Sequence, residues 1–168
     1  MNAQDIIDKL RLIPHTVEGG YYRETYRSED IIDKPFLSED YTGSRSVGTA
    51  IYYLLTPGTI SSLHKLPSDE IFHFYMGDPV EMLQLFPDGS GKMLKIGTNM
   101  DNEEYPQIIA PKHCWQGSRL IEGGRFALMG TTVSPGFDFK DYIVPNKEQL
   151  MIEFPDFEKE ISELIRKE

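Results

Sequence analysis

The chain carries one cysteine, Cys114, so no disulfide can form within it and a reducing compartment is expected. Basic residues are in the minority: 17 Lys and Arg against 27 Asp and Glu give a net charge of −10. No basic stripe is present, which argues against nucleic acid as a partner. A few buried arginines could still hold an anionic small molecule. No apolar stretch approaches the roughly 18 residues of a membrane span. Met1 to Lys9 lacks the apolar run of a signal peptide. A cytoplasmic protein without a membrane partner is expected. With no internal repeat and no low-complexity run, residues 1–168 are expected to form one domain.

Hydrophobic residues make up 39% and charged residues 26% of the 168, enough for one buried core. The 14 glycines and 11 prolines are scattered, which suits many short strands and turns. Helical spacing occurs only near the ends. Ile6, Ile7, Leu10 and Ile13 recur through Ala3 to Leu12, and Pro14 marks a stop. Phe157, Ile161, Leu164 and Ile165 form a stripe within Pro155 to Lys167. Between the helices, Tyr21 to Ser28 alternates, with Tyr21, Arg23, Thr25 and Arg27 on one face. Ser28 to Ser44 reads as an irregular excursion or hairpin. Arg45 to Leu55 is a buried strand. Val80 to Phe86 and Lys92 to Ile96 flank a Pro87-Asp88-Gly89-Ser90-Gly91 turn, and Arg125 to Val133 is a further strand.

Gly58 to Gly77 organises the rest. It reads as two strands around Pro67-Ser68-Asp69. Residues two apart in a strand share a face, so His64 and Leu66 point the same way. Pairing of the two strands brings Glu70 beside His64. An imidazole next to a carboxylate can be half a metal site, or a general base with its orienting acid.

At these residues the chain resembles the cupin superfamily. Gly58, His64, Glu70 and Gly77 fall at the spacing of that family's first motif, and Leu66 stands at its second histidine. Glu18-Gly19-Gly20-Tyr21-Tyr22-Arg23-Glu24-Thr25 resembles the opening of one branch, the uncharacterised bacterial, fungal and plant cupins. Only Pro111 matches the general second motif, where Gln116 falls at the histidine. Pro106-Gln107, Pro111 and Trp115 suit the branch, as does the closing segment Ser134 to Phe139. The resemblance covers Val17 to about Val144. It implies an all-β fold, a cupin-type double-stranded jelly-roll barrel over about 17–144, flanked by N- and C-terminal helices. It also implies a homodimer.

One cavity is expected to gather His64, Glu70, Phe72, Gln107, Trp115 and Gln116. Tyr21 or Arg23 would form a wall, with Arg45 at the mouth. A metal site would use His64, Glu70 and Gln116, but catalytic transition-metal sites usually keep three or more good protein ligands. Alternation puts His73 on the far face. No cofactor is therefore expected, a divalent transition metal being the alternative. Three functions follow. One is metal-independent proton transfer of the sugar or keto-compound epimerase/isomerase kind, with His64 as base and Glu70 as orienter; no motif names the proton donor. Another is a metal-dependent cupin enzyme with a reduced ligand set. The third is a non-catalytic module that holds a small polar ligand between Trp115, Phe72 and Phe74, with Gln107 and Gln116 as polar contacts.

Overall fold

A computed structural model describes residues 1–166. Short β-branched and aromatic runs between turns fold into two packed antiparallel layers, a jelly roll with short helices near both ends. The main strands are β1 (Tyr21–Arg27), β2 (Thr49–Leu55), β3 (Ile60–His64), β4 (Asp69–Gly77) and β5 (Val80–Leu85). They continue with β6 (Gly91–Ile96), β7 (Gln107–Ala110), β8 (Trp115–Leu120) and β9 (Ala127–Ser134). A six-stranded sheet runs from the short Ile13–Pro14 piece through β1, β2, β9, β4 and β7. A five-stranded sheet runs from the short Glu104–Tyr105 piece through β6, β5, β8 and β3.

Alternation sorts the side chains. Tyr53, Leu55, Phe72, Met82, Ile96 and Met129 point inward and close one end of the barrel as an apolar core. The same inward rows turn polar towards the other end, at Thr49, His64, Glu70 and Thr131, and there a cavity opens. Outside, α1 (Ala3–Leu10) lays Ile6 against Leu54 and Leu128 of the larger sheet. Leu63, Leu83 and Leu85 of the smaller sheet are covered by Leu150, Phe154, Ile161 and Leu164. Burying two such outer faces contributes stability in proportion to the apolar area removed from water.

Both helices are shorter than their apolar spacing suggests. Arg11 takes a left-handed conformation at φ 53°, which ends α1 and leaves Ile13 exposed in the strand piece that follows. A helix not expected from the sequence, α2 (Lys147–Glu153), precedes the C-terminal stripe. Of that stripe only Ile161 lies in an α-helix, α3 (Glu158–Glu163); Phe157 ends a 3₁₀ turn at Pro155–Phe157, and Leu164 and Ile165 follow α3. Pro155 has no N–H to carry α2 onward. Lys167 of the expected helix lies outside the described residues.

Alternation also breaks at Tyr75 in β4, an extra residue against β9, and twice more beside the cavity. Glu24 opposes Ile51 while Tyr26 opposes Ala50, so Thr25 is an extra residue. Arg27 therefore lines the cavity with Tyr22 and Glu24, instead of sharing a face with Tyr21 and Arg23. In β3, Gln116 opposes His64 and Ser118 opposes Ser61, which leaves one extra residue in β3. The free edge of β3 is closed by three distant segments. The Ser62 N–H donates to Glu18 O (2.9 Å), Leu63 N–H to Leu164 O (2.8 Å), and Lys65 and Ile143 exchange bonds of 3.0 and 3.2 Å.

Candidate functional site

The cavity is about 450 Å³ and is lined by His64 and Glu70 together with Glu18. His64 sits at the end of β3 and is 1% exposed. Its Nδ1 lies 2.8 Å from the Ser62 carbonyl oxygen. A carbonyl only accepts, so Nδ1 carries a hydrogen, and in the neutral ring Nε2 carries the lone pair. The Gln116 amide nitrogen donates to that lone pair at 2.7 Å and to Glu70 Oε2 at 2.9 Å. Carboxylate oxygens of Glu18 and Glu70 each stand 3.9 Å from His64 Nε2. Burial lowers the imidazole's proton affinity, but the negative charges of Glu18 and Glu70 outweigh it. The net effect raises His64 from 6.5 to about 8. Tyr142 stacks on the ring, centroids 4.5 Å apart, and burial pushes its hydroxyl far up, so it stays a neutral phenol.

Glu18 is placed by the two glycines that follow it. Gly19 and Gly20 have φ of 107° and 67°, and a Cβ on Gly19 would collide with the Ile60 carbonyl. Only glycine lets this turn press onto β3. The Tyr53 hydroxyl donates to Gly19 O at 2.8 Å, and the Ser61 hydroxyl donates to Glu18 Oε1. The Glu18 N–H donates to His15 Nδ1 at 2.8 Å, which puts the His15 hydrogen on Nε2. Burial holds His15 below its ordinary 6.5, so it is a neutral N–H donor in the cavity wall.

Of the residues singled out from the sequence, His64, Glu70 and Gln116 come together. Of these only His64 and Glu70 line the cavity; Gln116 is enclosed behind them, and the others lie elsewhere. Phe72 is on the Glu70 face but one layer deeper, packed in the apolar core at 1% exposure, with Phe74 against the same cluster. Trp115 neighbours Gln116 and so faces the opposite way, outward against the C-terminal helices, with the Lys65 ammonium 4.3 Å from its ring centroid. Gln107 is exposed on the outer face, 3.3 Å from His73 Nδ1. Tyr21 packs outside under α1, and Arg23 lies over the Tyr52 ring. Arg45 is 5% exposed, but its guanidinium is taken up by Asp141 (2.7 Å from Nε) and by the carbonyls of Gly43 and Ser44. It fastens the segment that carries Phe137, Asp138 and Phe139 into the rim. His15, Glu18, Tyr22 and Tyr142 were not singled out. Glu18 had a signal in its Gly-Gly neighbours; Tyr142 had none.

A closed double-stranded jelly roll with His64 and Glu70 on its inner wall is the cupin architecture. Residues 4–144 match the family described as Cupin superfamily (DUF985), and the chain belongs to it. It is 34% identical over 150 residues to the uncharacterized protein YML079W of Saccharomyces cerevisiae, covering 84% of this chain and 74% of that one. The crystal structure of protein SO0799 from Shewanella oneidensis superposes with a TM-score of 0.85 at 35% identity, covering 100% of this chain and 99% of that one. A hypothetical protein from Leishmania major gives 0.89 at 30% identity, covering 99% and 100%. No helix among the described residues is long and apolar enough to cross a membrane.

The donor set does not fit a tightly held transition metal. The lone pair of His15 faces a backbone N–H, and that of His64 faces the Gln116 amide. Leu66 puts hydrocarbon, 6% exposed, where a second imidazole would stand. Among the described residues, no three His, Cys, Asp or Glu side chains are grouped to hold a metal ion.

Proposed function

We propose that the barrel pocket binds a small polar metabolite and that His64 moves a proton on it without a metal, as in an epimerase or isomerase. The observation that carries this reading is the orientation of His64. Ser62 O fixes Nδ1–H, so the basic Nε2 is aimed into a cluster with two carboxylates. In the reaction, Nε2 takes the proton from a carbon next to a carbonyl. The C–H electron pair moves into the carbonyl, giving an enolate, and the His15 N–H can bond that oxygen. Return of a proton to carbon completes the turnover.

One observation favours the binding-only reading: the Gln116 amide already occupies the lone pair that a base needs free. The two readings separate in heavy water. Small hydroxy-ketones and aldoses incubated with the wild type should gain deuterium next to the carbonyl, and His64→Ala should abolish it. Binding lost in His64→Ala without exchange in the wild type favours the module. Binding kept in His64→Ala sinks both. The homodimer belongs to the same reading, and the exposed Ile13 and Tyr26 beside β1 support it.

A further inference from the structure

The pocket has few cations to offer. Its charged wall consists of Glu18, Glu24, Glu70 and Asp138 against Arg27, with the two histidines. Arg27 is already forked onto Glu24, at 3.0 Å from Nε and 2.7 Å from Nη2, and also donates to Phe137 O. The nearby Arg166 donates to the carbonyls of Thr16 and Val17 and does not line the cavity. With His64 neutral, above its value of about 8, an anionic ligand would find no free guanidinium or ammonium and several like charges.

Hydrogen bonding points the same way. Glu18 Oε1 accepts from Ser61 and Glu70 Oε2 from Gln116, but Glu18 Oε2 and Glu70 Oε1 accept no hydrogen bond from the described residues. Neither is among the enclosed unpartnered atoms, so both are accessible from the cavity. Gln116, 2% exposed, spends its N–H groups on His64 and Glu70 and leaves its carbonyl oxygen buried without a partner. The cavity wall thus offers two carboxylate oxygens that lack donors, Glu18 Oε2 and Glu70 Oε1, while the Gln116 oxygen is enclosed behind it. The cavity also has an aromatic wall around His15, beside Glu18: Tyr22 and Phe139 flank His15 at 4.6 and 5.8 Å, and Phe137 meets Phe139 edge-on at 5.0 Å. Carboxylates and aromatic rings lining one cavity suit an ammonium group.

We propose that the pocket takes a hydroxylated amine, such as an amino alcohol or amino sugar, with its ammonium group between Glu18 and Glu70, and rejects carboxylates and phosphates. This rests on the reading that the barrel pocket is the ligand site. It does not need His64 to be a base, because the test below reads binding without turnover.

Protein labelled in its histidine rings is titrated with ethanolamine, ethylene glycol and glycolate at about pH 9, where His64 is neutral, and at constant ionic strength. The ring signals of His64 and His15 report occupancy. Ethanolamine should half-saturate the shift at a concentration at least about tenfold below glycolate, some 1.4 kcal/mol, with ethylene glycol between them. Glu18→Gln should bring the ratio under about threefold. A preference smaller than tenfold in the wild type, or ethanolamine acting no more than sodium chloride, overturns the proposal. So does a Glu18→Gln variant, folded by its spectrum, that keeps the full preference. If that variant does not fold, Glu70→Gln replaces it with the same criterion.

Discussion

Glu18 Oε2 lies 3.9 Å from His64 Nε2, although 46 residues separate them in the sequence (64 − 18). The contact exists because Glu18 O pairs with the Ser62 N–H along the β3 edge and brings the side chain across the strand end. The carboxylate then sets the proton affinity of the imidazole. Glu18→Gln should lower the His64 pKa from about 8 by roughly 1–2 units, read by NMR titration of the ring. An unchanged pKa would mean that Glu70 alone raises it.

The same shift makes stability depend on pH. His64 binds its proton more tightly folded, at about 8, than unfolded, at 6.5. Its contribution is fully present below 6.5 and is lost as pH rises through about 8, some 2 kcal/mol in all. His15 works in the opposite sense, because burial lowers its folded pKa. Urea titrations of wild type and His64→Asn at about pH 6 and pH 9 isolate the first effect. The gap between the two proteins should narrow at the higher pH. Any activity that uses His64 as a base should rise over the same interval.

Arg45 and Asp141 form a buried pair, each side chain 4% exposed. Arg45→Ala leaves the Asp141 carboxylate enclosed without its partner. It should cost about 3–5 kcal/mol in chemical unfolding. The Phe137–Phe139 rim should loosen with it, visible as faster amide exchange there. Loss of under about 1 kcal/mol would place the pair with ordinary surface bridges.

Dialysis against a chelator should leave the wild type without stoichiometric zinc or manganese. Replacing both Leu66 and Gln116 with histidine supplies two imidazoles and removes the competing amide donor. That double variant should retain about one equivalent by elemental analysis. Retention by the wild type would overturn the reading of the donor set.

A homodimer is expected from the exposed apolar side chains along the larger sheet's edge, Ile13 and Tyr26 among them. Light scattering at micromolar concentration reads this directly. A monomer mass counts against it, and Tyr26→Glu should shift a true dimer towards monomer.

The barrel was legible because its strands are short, patterned and separated by turn residues, and the spacing of Gly58, His64, Glu70 and Gly77 survives a change at Leu66. The core of the site was legible as well, but His64 and Glu70 do not meet by the strand pairing read from the sequence: β3 lies in the five-stranded sheet and β4 in the six-stranded one, so the two side chains meet across the barrel. The walls were less so. Strict alternation misassigned Arg27 because the Thr25 bulge adds one residue, which no composition rule signals. Trp115 and Phe72 suggest a pocket by type, but parity sends one outward and depth buries the other. Arg45 reads as a free charge until Asp141, 96 residues away, folds onto it.

The sealing of the β3 edge by Glu18, Ile143 and Leu164 has a consequence for the order of assembly. The strand that bears His64 is made early in synthesis, but its last neighbour, Leu164, is made about a hundred residues later. Until then a growing chain has an open strand edge beside its one fully buried imidazole. The Leu63 N–H, next to His64, therefore stays without its strand-edge partner until the segment that carries Leu164 has folded back onto β3.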